Sequence, residues 1–166
     1  MNWVYARLPL TMDSRWISTP RWHRLAVEIA HVQADAVAPF YRANEREGLR
    51  ALYDFSVVWH EQVHDFVATD DGGVTTGAAT IRIAASLAHV ERVLVAAAHR
   101  RRGIGRRLLA AAADVANYYN CHKMSALVPR GSAAQRFFEA CGYREEAVLP
   151  QHTFKLDVAV LRKFLL

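Results

Sequence analysis

The alternation of apolar and polar residues predicts a chain that mixes strands and helices. In the middle of the sequence, a period of two residues predicts three successive strands joined by short loops. The segment Asp70–Gly73 separates the first two strands, since Asp and Gly tolerate the positive φ of a hairpin turn. Short connections between strands favour an antiparallel meander. The three predicted strands are Val63–Thr69, Val74–Ala84 and Ala88–Val95.

After this meander the apolar residues recur at helical spacing. They predict an amphipathic helix over Gly105–Tyr119. A second helix is predicted to begin at Ser132, with Gln135 as its capping partner, and to end at Gly142. Apolar runs between and after the two helices predict further strands. These are Met124–Val128, Tyr143–Val148 and Thr153–Val158, followed by Leu161–Leu166 as a last helical turn or an edge segment.

The first third of the chain is less regular. β-Branched residues predict a strand over Leu25–His31, and helical spacing predicts helices over Ala34–Ala43, which a proline interrupts, and Glu45–Tyr53. Residues 1–20 show no clean period and are interpreted as an N-terminal extension of uncertain order. Residues 21–166 are predicted to form a single α/β domain, a size that is enough to bury a sizeable core.

The positive charge of the chain is concentrated in one segment. The sequence carries 21 basic and 16 acidic residues, a net charge of +5 with the histidines neutral. Five arginines lie within the nine residues from His99 to Arg107, and without them the two signs balance (21 − 5 = 16). A local anion site explains this distribution better than a broad basic face, which disfavours nucleic acid as a partner.

Cysteine content and hydropathy exclude several classes of protein. Cys121 and Cys141 are the only cysteines, and neither has the spacing of a metal site or a disulfide framework. We therefore expect no metal and a reducing, cytoplasmic location. No apolar run approaches the ~18 residues of a membrane span, so we expect no membrane association. The N-terminus lacks the order of a signal peptide.

The basic segment lies between a predicted buried strand and an amphipathic helix. Backbone N–H groups at a helix start lack intrahelical partners, and the helix dipole adds positive charge there, so this junction favours an anion. Gly103 and Gly105 let the backbone approach that anion closely, and flanking arginines add charge-assisted hydrogen bonds. The Gly-Lys-Ser/Thr ending of a P-loop is missing, and Leu108 replaces the third glycine of the dinucleotide fingerprint. The remaining pattern is Arg-x-x-Gly-x-Gly, which begins at Arg100.

This pattern resembles the cofactor motif of the GNAT superfamily of N-acetyltransferases. In that family the amides of an Arg/Gln-x-x-Gly-x-Gly/Ala segment hold the pyrophosphate of acetyl-CoA. A second stretch, residues 134–143, resembles the family's Ala-x-x-Phe-Tyr-Glu-x-x-Gly-Phe helix and lies at the expected distance downstream. The resemblance covers the chain from Val63 to Val158.

The resemblance implies a GNAT-like α/β fold, with a mixed, mostly antiparallel central sheet flanked by helices. In the family the fourth and fifth strands, here Ala88–Val95 and Met124–Val128, splay apart and admit the pantetheine arm of acetyl-CoA. The residues that the resemblance assigns to cofactor binding are Val93, Leu94, Val95, Arg100, Arg101, Arg102, Gly103, Ile104, Gly105, Arg106, Ser132, Phe137 and Phe138.

The resemblance also implies transfer of the acetyl group to a primary amine, by direct attack of the amine on the thioester. The Val95 amide is the expected oxyanion donor. Some family members carry a base glutamate at the position of His89, and strand alternation predicts that His89, Glu91, Val93 and Val95 share one face. His89 and Glu91 are therefore the candidate general bases.

Two positions depart from the family pattern. Gly131 stands where the family often has Asn, and Phe138 stands where it often has the tyrosine that protonates the departing thiolate. Tyr118, Tyr119 and Tyr143 are the remaining nearby phenols, with Tyr119 as the candidate acid, although none has the family position. A thiolate can also leave unprotonated, without any acid. The missing tyrosine leaves a second interpretation open, a CoA-binding sensor or regulatory module without turnover. The sequence assigns neither the acceptor, a small-molecule or peptide amine, nor an interface for the homodimer that the family often forms.

Overall fold

The computed structural model describes residues 30–53 and 61–165. These residues fall into two units, one ending at Leu52 and the other beginning at Tyr53. Residues 1–20 and most of the predicted strand Leu25–His31 lie outside the described residues. The division into an extension and a single domain over 21–166 stays a prediction.

The described part of the first unit forms one helix, α1 (Ala34–Leu52). The prediction of two helices here is wrong. Pro39 lies in the second turn of α1, where its missing N–H removes a single helical hydrogen bond near the start of the helix. The chain then continues through Asn44, whose Nδ2 donates to the Phe40 carbonyl at 2.8 Å. No helix among the described residues is both long and apolar enough to cross a membrane.

The second unit is built from strands and helices in the order that the hydrophobic pattern predicts. A short 3₁₀ turn, Ala97–His99, follows the third strand and was not predicted. The elements are β1 (Glu61–Thr69), β2 (Thr75–Ala84), β3 (Leu87–Val95), α2 (Ile104–Tyr118), β4 (Lys123–Pro129), α3 (Ala133–Ala140), β5 (Arg144–Thr153) and β6 (Leu156–Phe164).

Within the described residues the six strands form one mixed sheet in the order β1-β2-β3-β4-β6-β5. β3 and β4 are parallel, and every other neighbouring pair is antiparallel. A parallel pair requires a crossover connection, and α2 supplies it. The predicted fold class, a mostly antiparallel mixed sheet flanked by helices, is confirmed.

Helices α2 and α3 pack against the same side of this sheet, which we call the helix face. Leu109 and Ala112 of α2 and Phe138 of α3 lie in one buried cluster with residues from β2, β3, β4 and β6. Ser132 caps α3 by accepting a hydrogen bond from the Gln135 amide at 3.1 Å, as predicted. The strand residues in this cluster are Ile81, Ile83, Ala88, Val90, Met124, Ala126, Val128, Ala159 and Leu161.

The last strand corrects the sequence prediction. The segment predicted as a helical turn or an edge, Leu161–Leu166, continues β6 as far as Phe164, and Leu161 is fully buried. The hairpin turn lies at Phe154 and Lys155, which have φ values of 50° and 60°. Two consecutive positive φ angles usually require Asn or Gly. Neither residue type occurs at this turn, so the sequence gives no turn signal.

β3 and β4 separate part-way along their length. Their ladder runs from Leu87↔Lys123 to Val90↔Ala126, whereas β3 continues to Val95. β4 pairs with β6 along its whole length, so in the described sheet Leu127 to Pro129 have only β6 as a neighbouring strand. The predicted splay between these two strands is therefore confirmed, and it begins after Val90.

A β-bulge lies where the two strands separate. β3 pairs with β2 through Ile81↔Val90 and then Thr80↔Arg92, so Glu91 is an extra residue. The bulge reverses the alternation of side chains. Val93 and Val95 consequently lie on the helix face, opposite Ala79 and Gly77 of β2, whereas His89 lies on the other face, opposite Arg82. The prediction that His89, Glu91, Val93 and Val95 share one face is wrong for this reason.

Two glycines bring α2 close to its neighbours. A Cβ atom added to Gly77 of β2 would lie 3.1 Å from Ile104 Cγ2 and 3.3 Å from Leu108 Cδ1. A Cβ added to Gly105 would lie 3.0 Å from Phe137 Cζ and 3.7 Å from Val95 Cγ2. Glycine at these positions therefore fixes the start of α2 against β2, β3 and α3.

We expect Gly105→Ala to destabilise the protein because the added methyl group meets the Phe137 ring. Overpacking of this kind costs roughly 1–3 kcal/mol. In a Phe137→Leu background the same substitution should cost less, since a smaller side chain faces the new methyl group. Denaturant unfolding of the four proteins in this double-mutant cycle measures the coupling. Equal costs in both backgrounds would contradict the proposed contact.

Candidate active site

The candidate site lies at the carboxyl ends of the parallel strands β3 and β4. Each strand leads through a short loop into a helix, β3 into α2 and β4 into α3, and both helices begin at this edge of the sheet. In α/β sheets, ligands bind at the carboxyl ends of strands where neighbouring connections diverge. The gap between β3 and β4 opens at the same edge of the sheet, where β3 leads into the basic loop 96–103.

The backbone of β3 directs polar groups into this gap. The Ala96 amide donates to the carbonyl of Thr76 in β2 at 2.9 Å. Because hydrogen-bonding direction alternates along an antiparallel strand, the amides of Val93 and Val95 point away from β2 and towards the gap. The Val95 carbonyl accepts a hydrogen bond from Arg100 Nε at 3.0 Å. These two residues therefore offer backbone N–H groups along the wall of the gap.

The loop after β3 exposes a series of backbone amides. Arg101 and Gly103 adopt left-handed conformations, with φ values of 62° and 80°. Gly103 is the N-cap of α2, and the first helical hydrogen bond runs from the Arg107 amide to its carbonyl at 3.1 Å. Within the described residues the amides from 101 to 106 have no protein acceptor. Free amides at a helix start, together with the helix dipole, favour an anion. This geometry supports the predicted anion site, which stays a prediction.

The two glycines of the loop have different roles. A Cβ atom on Gly103 would meet no atom within 4 Å, so glycine serves there to allow the positive φ. Gly105 instead leaves room for the Phe137 ring. The sequence interpretation gave both glycines the same role, the close approach of an anion, and packing against α3 could not be read from the motif.

The arginines of the basic segment divide into two groups. Arg100 holds the end of β3 through the Val95 carbonyl, and Arg106 Nη2 donates to the Ala140 carbonyl at the end of α3 at 3.3 Å. The side chains of these two arginines thus support the loop. The other three, Arg101, Arg102 and Arg107, are exposed and form no ion pair with a described residue. The side chains of these three arginines are therefore the candidates for contact with an anion.

The α3 residues assigned to the cofactor by resemblance have mainly structural contacts. Ser132 caps the helix, and Phe137 packs against Gly105. Phe138 is only 6% exposed, and its ring packs edge-on against Tyr143 at 5.0 Å between centroids. The side chain at the position of the family's tyrosine therefore belongs to the core and carries no proton for a leaving group.

His89 lies on the opposite face of the sheet, at the base of the gap. Its Nδ1 is 3.0 Å from the Oγ of Ser125, the residue that it faces on β4. Burial lowers the pKa of His89, an effect that Arg82 reinforces and Glu91 opposes. A neutral imidazole at neutral pH suits a general base. Ser125 carries no motif signal, so the sequence did not identify it.

Glu91, the other candidate base, is already engaged in an ion pair. Its Oε1 accepts a hydrogen bond from Arg82 Nε at 2.6 Å, and this contact raises the pKa of Arg82. The bulge turns Glu91 towards Arg82, which lies on the same face as His89. The Glu91 carboxylate is therefore already occupied by Arg82, which makes it less available to an acceptor amine than the His89 imidazole.

Tyr119 lies far from the loop. Its ring stacks on His64 of β1 at 5.1 Å between centroids, beyond the carboxyl end of α2. The 15 residues of α2 span about 22 Å at 1.5 Å per residue, so the structure does not bring Tyr119 near the start of that helix. Tyr143 is buried, donates to Met124 Sδ at 3.5 Å, and has its pKa raised by burial.

Comparison with known proteins assigns the family. A family model described as an acetyltransferase (GNAT) domain matches residues 61–145, just over half of the chain. The protein is a member of the GNAT acetyltransferase family. This match includes the basic loop and the α3 motif on which the predicted resemblance rests. A search of curated protein sequences finds no match.

Solved structures of other GNAT-type proteins share the fold. An acetyltransferase from Bacillus cereus has a TM-score of 0.65 and 17% identity, and the match covers 82% of this chain and 97% of that one. The ribosomal-protein-S18-alanine N-acetyltransferase from Escherichia coli has a TM-score of 0.56 and 16% identity, covering 82% and 92%. A Bacillus anthracis structure in complex with acetyl coenzyme A has a TM-score of 0.57 and 19% identity, covering 60% and 61%.

We expect His89 to titrate below its ordinary pKa of 6.5 in the folded protein. The unfolded chain then binds the proton more readily than the folded protein does, so protonation of His89 favours unfolding. The contribution of neutral His89 to the free energy of unfolding is therefore complete above about pH 6.5, and it is lost as the pH falls through the folded pKa. An NMR titration measures the pKa directly. Glu91→Gln removes a carboxylate that favours the imidazolium and should lower the pKa of His89 further. A rise in that variant would contradict the assignment.

Proposed function

We propose that this GNAT protein is an N-acetyltransferase that moves the acetyl group of acetyl-CoA to a primary amine. The observation that carries the proposal is the junction of two features at one edge of the sheet. The gap between β3 and β4 opens directly beside the amides of residues 101–106. An elongated ligand with a diphosphate at a fixed distance from a thioester fits this arrangement.

The residues of the loop and the gap suit acetyl-CoA. The amides from 101 to 106, with Arg101, Arg102 and Arg107 around them, would hold the pyrophosphate. The backbone of Val93 and Val95 would hold the pantetheine arm along the gap. When bound, acetyl-CoA supplies an acetyl group activated as a thioester. No metal enters the proposed reaction.

His89 is the stronger of the two candidate bases. Its imidazole is half-buried, faces the separating strands and is neutral near pH 7, because burial lowers its pKa. It would take a proton from the acceptor amine, directly or through a water. Glu91 would orient Arg82 and set the local charge, since its carboxylate already accepts from that guanidinium.

The oxyanion donor must lie close to the base. His89 and Val95 are six residues apart along β3, whereas His89 and Val93 are four residues apart with the extra residue Glu91 of the bulge between them. Val93 is nearer to the bulge, and its amide also points into the gap. We therefore infer that the Val93 amide stabilises the developing charge on the acetyl oxygen, while Val95 contacts the pantetheine arm.

The thiolate would leave without a protein acid at the family position, because Phe138 is buried and has no proton to donate. Thiols are much stronger acids than alcohols, with a pKa of about 8.5 for a cysteine side chain, so a thiolate is a reasonable leaving group near neutral pH. The same observation favours a second candidate function, a CoA-binding sensor without turnover. Release of thiol on addition of amines separates the two.

The acceptor is proposed only as a primary amine, on a small molecule or a peptide. One solved relative is named for acetylation of an alanine of ribosomal protein S18, but a shared fold at 16% identity does not carry an acceptor. A panel that includes amino acids, polyamines and peptides with free N-termini would define the class.

We expect Gly103→Val to weaken acetyl-CoA binding at least tenfold, measured by calorimetry. Valine strongly disfavours a φ of 80°, so the loop must change its conformation and its amides turn away from the phosphates. Gly103→Asn should bind within a few-fold of wild type, because Asn tolerates this region. Gly73→Val is the matched control, since Gly73 has a φ of 77° and open space in the β1–β2 turn. Equal binding by Gly103→Val and wild type would remove the support for the loop.

We expect His89→Gln to lower kcat roughly 10²- to 10⁴-fold with little change in KM for acetyl-CoA, as for the loss of a general base. Glu91→Gln should have a much smaller effect, since the amide oxygen can still accept from Arg82. Thiol release with the amine panel, from pH 6 to 9, measures both. Wild-type turnover in both variants places the base elsewhere. Tight acetyl-CoA binding with no release on any amine supports the sensor.

A further inference from the structure

The contact between His89 and Ser125 joins β3 to β4 near the end of their hydrogen-bonded ladder. The two residues face each other across the parallel pair, one position before the final pair Val90↔Ala126. Ser125 is 7% exposed and is one of two buried polar residues in the described part of the chain, with Thr76. The hydroxyl of Thr76 donates to the Ala68 carbonyl, whereas Ser125 has its side-chain contact with His89.

A serine hydroxyl constrains the imidazole in a particular way. A neutral imidazole carries one N–H, and a base needs a free lone pair on the nitrogen that faces the substrate. If Nδ1 carries the hydrogen and donates to Ser125 Oγ at 3.0 Å, then Nε2 keeps its lone pair. The hydroxyl adds no negative charge, so it orients the ring and favours the imidazolium less strongly than a carboxylate would.

The charged groups around this pair are themselves paired. Arg82, opposite His89 on β2, binds Glu91 at 2.6 Å. Arg162, opposite Ser125 on β6, lies 3.8 Å from Glu146, which also binds Lys123 at 3.1 Å. Among the described residues, none of these groups forms a hydrogen bond with the imidazole. The charged groups around the pair are Arg82 of β2, Glu91 of β3, Lys123 of β4, Glu146 of β5 and Arg162 of β6.

We propose that Ser125 is a positioning residue, whose Oγ accepts a hydrogen bond from His89 Nδ1 and so fixes the tautomer and ring orientation that leave Nε2 as the proton acceptor for the amine. This inference rests on the proposed acetyl transfer and on His89 as its base. Ser125 itself touches neither the thioester nor the amine. Its effect passes through the imidazole, at the point where β3 and β4 separate.

The chain offers a matched control pair. His122 Nδ1 lies 3.0 Å from Ser86 Oγ, the same contact between the same two residue types. Ser86 precedes β3 and His122 precedes β4, so this pair lies at the opposite end of the two strands from the gap. Removing the Ser86 hydroxyl therefore tests the loss of a Ser–His contact without touching the candidate site.

The experiment compares Ser125→Ala, Ser125→Thr and Ser86→Ala with wild type in the full chain. We expect Ser125→Ala to lower kcat roughly ten- to hundredfold, as a misplaced catalytic group does, with KM for acetyl-CoA unchanged. Ser125→Thr keeps a hydroxyl and should recover most of the activity. Ser86→Ala should match wild type. Thermal unfolding checks that each variant is folded.

Two further measurements separate positioning from a structural role. Two-bond ¹H–¹⁵N correlation spectra should show His89 protonated at Nδ1 in wild type and shifted towards the Nε2-protonated tautomer in Ser125→Ala. The acid limb of kcat/KM should move to lower pH in that variant, because the imidazolium loses an acceptor. Both signals should stay unchanged in Ser86→Ala.

Several outcomes overturn the inference. A folded Ser125→Ala variant with wild-type kcat and pH profile removes the positioning role, even where its melting temperature falls. A wild-type His89 that is protonated at Nε2 does the same. If wild-type protein binds acetyl-CoA but releases no thiol with any amine, the proposed function fails first, and this distinguishes the two failures.

Discussion

The separation of β3 from β4 after Val90 is the constraint on which the rest of the site depends. A parallel pair that stayed hydrogen-bonded to its end would leave no opening at the carboxyl edge of the sheet. The bulge at Glu91 makes the separation possible, because it changes the twist and direction of β3 just where pairing with β4 stops. β4 keeps a partner beyond this point by pairing with β6. The gap is thus formed by a bulged strand beside a strand that stays paired with β6 along its whole length.

A strand that leaves its neighbour exposes backbone groups that need other partners. At the end of β3 the protein meets part of this need with the basic loop itself, since Arg100 Nε donates to the Val95 carbonyl. Arg106 supplies a similar bond to the end of α3. The motif that the sequence analysis interprets as a phosphate site therefore also stabilises the backbone around that site, at the ends of β3 and α3. This dual role explains why five arginines lie in the segment although only three have exposed, unpaired side chains in the described structure.

Much of the fold could be predicted from the sequence, because the signals are local. Alternation marked β1 to β3, an apolar run marked β4, helical spacing marked α2 and α3, and the capping pair at Ser132 was confirmed. The failures come from interactions that periodicity does not encode. The tip of the last hairpin uses Phe154 and Lys155 at positive φ, without glycine. The bulge at Glu91 depends on pairing with β2, and it moved His89 to the face opposite Val93. The roles of residues at the site depended on this single insertion.

The bulge also determines which chemistry the two faces of β3 can support. On the helix face, Val93 and Val95 are apolar and pack towards α2, so the strand contributes only backbone groups to the gap. On the opposite face, His89, Glu91 and Arg82 gather where the strands part. A thioester held by backbone amides and an amine approached by an imidazole would therefore meet across the thickness of one strand. The absence of a side-chain acid at Phe138 is compatible with this division, because neither face needs to supply a proton to a thiolate that leaves towards solvent near neutral pH.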